Sequence, residues 1–77
     1  MEARFKIGTE FTRKRKLQDD KRLIVTDIYK TYNSKNECVR LRYVCQYTIL
    51  GQPATDYDVT DTEIARALFN EKGEIAP

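Results

Sequence analysis

Two thiols, a pair of aspartates and a run of basic side chains are the groups in this chain whose types and spacing could do chemistry. The thiols belong to Cys38 and Cys45, and a cysteine nucleophile needs a base to activate it. The chain has no histidine to supply one, and Ser34 falls in an expected turn. The two cysteines are seven residues apart in one expected strand. They therefore point to opposite faces, on the order of 23 Å apart at about 3.3 Å per residue. A disulfide needs Cα atoms within roughly 7 Å, so both thiols are expected to be free, as in a reducing compartment. Cys45 reads as a small core residue.

Asp56 and Asp58 are two apart on one expected strand and could form an acid and base pair. Arg40 and Arg42 are expected on the adjacent strand's outer face, which makes cross-strand ion pairs the simpler reading. Asp56, Asp58, Asp61 and Glu63 lack the Asx and Gly spacing of a calcium loop, and Asp61 and Glu63 suit a helix start. No glycine-rich phosphate loop occurs, so neither a nucleotide nor another cofactor is expected, and no metal. The chain reads as a protein without enzymatic activity.

The basic run lies in FTRKRKLQDDKR, residues 11–22, which holds six cations and two aspartates. Arg13, Lys14, Arg15, Lys16, Lys21 and Arg22 fall around the first connection, residues 12–21, expected to be a mobile rim loop. Arg40 and Arg42 are expected on a strand face with Tyr29 beside Arg40. Basic groups near an aromatic suit phosphate and base contacts. The same residue types are enriched at protein interfaces. Residues 1–42 hold twelve Lys or Arg against six Asp or Glu, and residues 43–77 hold two against six. Folding that interleaves the halves would cancel much of this asymmetry, and a pI near 8.6 is below the usual range of a dedicated nucleic-acid binder. A protein partner is the leading expectation, and a nucleic-acid partner the alternative.

These groups need elements to position them. A chain of 77 residues, 40% apolar and 34% charged, has the composition of one small globular domain. No run is long and apolar enough to span a bilayer and the start lacks signal-peptide order, so the cytosol is the expected compartment. RFKIGTEFT alternates with period two, RLIVTDIYKTY is β-branched and aromatic, and CVRLRYVCQYTIL puts Val39, Leu41, Tyr43, Cys45, Tyr47 and Ile49 on one face. PATDYDV is a fourth strand, with Pro53 at its start or on an edge. Thr60 followed by Glu63 is a capping box opening a helix over residues 61–69, and residues 70–77 read as a polar tail. A four-residue turn at 33–36 would set Tyr32 opposite Glu37 and Ile24 opposite Cys45. A three-residue turn at 50–52, with Gly51 at positive φ, would set Cys45 opposite Tyr57 and Tyr43 opposite Val59.

The expected architecture is mostly β, a small SH3-like barrel of four or five antiparallel strands spanning residues 1–69 with a short C-terminal helix. Its core would hold Phe5, Ile7, Phe11, Ile24, Ile28, Leu41, Tyr43, Tyr57 and Val59, capped by Ile64 and Leu68. An open four-stranded meander with the helix across one face is the alternative. KIGTEF, RYV at Arg42–Val44, LGQ at Leu50–Gln52, DYDV at Asp56–Val59 and EIAR at Glu63–Arg66 resemble a group of small phage and prophage proteins thought to be SH3-like. The resemblance covers residues 5–68. It implies a viral accessory protein and carries over no active site. The leading expectation for the chain is a non-enzymatic protein that occupies a surface on a host protein through Tyr29, Arg40 and the 13–22 loop, and the alternative is a small nucleic-acid-binding regulator using the same basic residues.

Overall fold

The computed structural model describes residues 2–14 and 19–71. It contains four strands, β1 (Glu10–Arg13), β2 (Lys21–Tyr32), β3 (Cys38–Ile49) and β4 (Gln52–Val59), and then one helix, α1 (Asp61–Glu71). The strands form an antiparallel meander in the order β1-β2-β3-β4. β1 and β4 are not ladder partners, so the sheet is open and does not close into a barrel.

The length of β1 accounts for the open sheet. The strand expected from Phe5 onward is broken at Gly8, which takes φ 98°, a conformation that glycine adopts without steric cost. The Gly8 amide donates to the Val25 carbonyl at 2.8 Å, and the Thr9 amide turns back to the Lys6 carbonyl at 3.0 Å. Ile7, expected in the core, is consequently exposed. Phe5 instead packs edge-on against Tyr43, with ring centroids 6.1 Å apart. The Arg4 and Phe5 amides donate to the Tyr43 hydroxyl at 3.0 and 3.3 Å, and that hydroxyl donates to Asp61 Oδ2 at 3.2 Å. The segment that could have lengthened β1 is thereby committed to β3 and the start of α1.

Two bulges bend the sheet at the same level of β3. Val25 pairs with Cys45 and Asp27 with Val44, which leaves Thr26 as the extra residue in β2. The Thr26 hydroxyl donates to the Val44 carbonyl at 3.3 Å. On the other side Tyr43 pairs with Val59 but Cys45 with Asp56, so Tyr57 and Asp58 together oppose Val44. Bulges on both neighbours of one strand increase local twist and curl the sheet around what packs on its inner face.

The bulges also correct the expected facing. An extra residue reverses the parity of the strand beyond it. Leu23 and Val25 are buried, Ile28 is partly buried in the same core, and Ile24, expected inside, is exposed. Tyr57, expected opposite Cys45 in the core, is 66% exposed, and Asp56 takes the position opposite Cys45. The rest of the core is as the β3 pattern indicates: Leu41, Tyr43 and Cys45 are buried with Phe11, Val59 and Ile64. Val39 and Ile49 share that parity but lie toward the two ends of β3 and are exposed.

The turns differ from expectation by one residue each. Tyr32 pairs with Cys38 rather than Glu37, and Asn36 takes φ 63°. The Asn33 side-chain oxygen accepts the Lys35 and Glu37 amides at 2.9 and 3.0 Å, which holds this turn. Ile49 pairs with Gln52, so the second turn has two central residues, Leu50 and Gly51, both at positive φ. That is the type I′ geometry whose twist matches the flanking strands.

α1 begins where the capping signal puts it: the Glu63 amide donates to Thr60 Oγ1 at 3.2 Å. Ile64 is buried, with Ala67 and Leu68 packed against the core. The helix runs to Glu71, two residues past the expected end, where the Thr12 hydroxyl donates to the Glu71 carboxylate at 2.8 Å. Residues 72–77 of the expected tail lie outside the described residues.

Candidate binding surface

Arg13 is not a loop residue. It pairs with Lys21 in the β1–β2 ladder and has the parity of buried Phe11, so its side chain runs along the inner face. Its Nε donates to Glu63 Oε2 at 2.6 Å and its Nη2 to Asp56 Oδ2 at 2.8 Å, with the side chain 18% exposed. Burial alone would lower the Arg13 pKa, but Glu63 and Asp56 hold it above its ordinary value. Burial likewise works to raise the Asp56 carboxyl. The Asp58 amide, bonded to it at 2.9 Å, and the Arg13 guanidinium outweigh burial and hold it below its ordinary value. This cluster lies near Cys45, whose thiol is pushed up to about 11 by burial and then by the Asp56 and Glu63 charges.

The remaining members of the expected basic handle are dispersed. Lys14 follows β1 and is exposed, and Arg15 and Lys16 lie outside the described residues, as does Leu17. Lys21 and Arg22 open β2 rather than a loop. Arg22 Nη1 donates to Thr12 Oγ1 at 2.9 Å and to the Glu71 carboxylate, and its Nε lies 3.8 Å from Glu10. The connection at 12–21 is therefore laddered at both ends, and Arg13 and Arg22 beside those ends are held by carboxylates of the same chain.

The outer sheet face gathers the other three expected residues. Arg40 Nη2 and Arg42 Nε both donate to Asp58 Oδ1 at 3.0 Å. One of the two expected aspartates thus meets the strand arginines, while Asp56 faces inward to Arg13. Tyr29 lies opposite Arg42, and Arg40 lies opposite Thr31, so the expected neighbour of Tyr29 is one step away. The Tyr29 hydroxyl donates to the Tyr57 carbonyl at 2.8 Å, spanning from β2 over β3 to β4. Ile24, Tyr29 and Tyr57 are exposed here, with half-buried Val44 between them. No other described element covers this face, since α1 packs on the opposite one.

Sequence reasoning did not place Ile24 or Tyr57 on this surface. For Ile24 the signal was present in β2, where apolar residues occupy both parities, a pattern that a bulge resolves; no local pattern in β4 marked Tyr57. An open groove of about 820 Å³ adjoins the arginines, between Val39–Arg42 and the Thr60–Thr62 start of α1. Arg4 on its wall is held by Asp61 at 2.9 Å. Both cysteines are free, Cys45 buried and Cys38 half-buried. Among the described residues no three thiol or acidic side chains gather as metal ligands, and no helix is long and apolar enough to cross a membrane.

The fold and this surface define a small antiparallel meander with one face under a helix and the other bare. Comparison of the chain with protein-family models, curated proteins and solved structures returns no match.

Proposed function

We propose that the protein is a non-enzymatic binding protein that occupies a surface on a host protein through the outer face of its sheet. The observation that carries this reading is the bare face itself. Tyr29 and Tyr57 are exposed near Arg40 and Arg42, with Ile24 exposed farther along the same face, and Tyr and Arg are the residue types that dominate binding hot spots. The resemblance to small phage and prophage proteins supports a viral accessory role, and an SH3-like ancestry for the curled meander belongs to the same proposal. Two free thiols support action in a reducing cytosol.

The charge pattern favours a protein over nucleic acid. Arg4, Arg13, Arg22, Arg40 and Arg42 each lie within 4.0 Å of a carboxylate of the same chain. Phosphate would have to displace those carboxylates, and the contact would then weaken steeply with salt. The test is capture from host cytosol on immobilised wild type and on Tyr57→Ala and Arg40→Ala. The expected result is one retained protein, reduced roughly tenfold or more by each substitution, as for a hot-spot loss of at least 1.4 kcal/mol. Retention of nucleic acid with a log-linear salt dependence, or equal capture by all three chains, overturns the reading.

A further inference from the structure

The open sheet leaves long margins of β2 and β4 without a ladder partner among the described residues. β2 meets β1 only from Lys21 to Ile24, with Val25 bonded to Gly8 and Thr9, so the stretch from Asp27 to Tyr32 has β3 on one side and no strand on the other. β4 pairs with β3 alone. Unpaired N–H and C=O groups on such margins are templates for a strand of another chain. The β2 margin is also rich in β-forming residues, with Tyr29 and Tyr32 exposed.

Each margin carries a local obstacle to that pairing. In β2 the Ile28 amide donates to Asp27 Oδ1 at 2.8 Å, so the donor is already occupied and a carboxylate stands where a partner's carbonyl would have to come. In β4, Ile49 and Gln52 close the turn as a hydrogen-bonded pair, which makes Thr48 and Pro53 a non-hydrogen-bonded pair and turns the backbone of residue 53 toward the free margin. Proline has no N–H to donate there. Farther along β4, the Asp58 amide is taken by Asp56 Oδ1 at 2.9 Å, within the bulge at Tyr57 and Asp58. β1, the other edge strand, is only four residues long.

We infer that these features keep the sheet from extending into a second copy: the Asp27 carboxylate blocks the β2 margin, and Pro53 with the Asp56–Asp58 bond blocks the β4 margin. The domain is then a monomer that meets a partner with side chains rather than by strand addition. This holds whichever protein the outer face binds, because it stands on the ladder and its caps. The β2 and β4 margins are different surfaces, so once unblocked they would join copies head to tail into open chains.

The experiment compares wild type, Asp27→Ala, Asp27→Asn, Pro53→Thr and the double variant Asp27→Ala/Pro53→Thr by sedimentation velocity over a concentration series, with amide NMR spectra to report fold and contact. Asp27 and Pro53 are exposed, so each variant keeps a dispersed spectrum. Wild type stays monomeric throughout. Asp27→Ala and Pro53→Thr each raise the association constant roughly tenfold or more above the wild-type limit, as for one released hydrogen-bonding group. The double variant associates more strongly than either, with shifts confined to residues 27–32 and 53–58. Asp27→Asn keeps the capping oxygen and remains monomeric. The inference is overturned if wild type self-associates through either margin, or if Asp27→Ala or Pro53→Thr stays as monomeric as wild type. It is equally overturned if Asp27→Asn associates as strongly as Asp27→Ala, or if the new contact maps away from both margins.

Discussion

The Arg13 guanidinium in β1 lies 2.8 Å from the Asp56 carboxylate in β4, joining the two edges of a sheet that have no ladder between them. Glu63 of α1 binds the same guanidinium at 2.6 Å, so one side chain ties together the first strand, the last strand and the helix. Where a barrel would close by backbone hydrogen bonds, this domain is held by a half-buried ion cluster.

Arg13→Ala should therefore cost about 1–3 kcal/mol, since it removes the guanidinium from two half-buried carboxylates and leaves Asp56 only the Asp58 amide. Lys14→Ala, at the exposed next position, should change stability little. Thermal melts of the two variants check this, and it replaces the expectation that the whole 13–16 run is a dispensable rim. Equal melting temperatures would remove the cluster from the account of the fold.

Acid should weaken the same tie. The Asp56 carboxyl is held below its ordinary value in the fold, so its stabilising contribution is present above the unfolded carboxyl value of about 3.9 and is lost as pH falls through the lower folded value. Urea titrations from pH 6 down to pH 2 should show this loss in wild type, and a shallower one in Asp56→Asn, which starts from lower stability. Parallel curves for the two proteins would contradict the assignment.

At the alkaline end the sign reverses. Burial pushes the Cys45 thiol up to about 11, so the fold favours its neutral form. That contribution is complete below the unfolded thiol value of about 8.5 and is lost as pH rises toward about 11. In the native state at pH 8, a thiol reagent should modify half-buried Cys38 quickly and buried Cys45 only on unfolding. Equal rates would contradict the facing of β3.

The β2 bulge has its own signature. Leu23→Ala should cost about 2–5 kcal/mol, as for other large-to-small changes in a core, and Leu41→Ala and Tyr43→Ala should fall in the same range. Ile24→Ala, on the opposite face, should be far milder. Denaturant midpoints of the four variants decide the matter, because an unbulged strand with Ile24 inside would give the reverse order for Leu23 and Ile24.

The sequence by itself determined the strands, their antiparallel order through short turns, the facing of β3 and the start of α1 at Thr60. These follow from local rules: period-two alternation from Leu41 to Cys45, a positive-φ glycine at Gly51, and a threonine hydroxyl within reach of the Glu63 amide. It also made Arg40, Arg42 and Asp58 neighbours through strand parity. Tertiary structure alone decided where β2 and β4 change face, because apolar residues stand on both parities of β2 and a bulge is set by what β3 presents across the ladder. It likewise decided that Gly8 ends the first strand's pairing and that Phe5 goes to Tyr43, so the sheet stays open. Arg13 looked like one cation in a basic run. Its partners are 43 and 50 residues away, a separation at which no local pattern reports contact, and only the curl of the sheet under α1 brings them together.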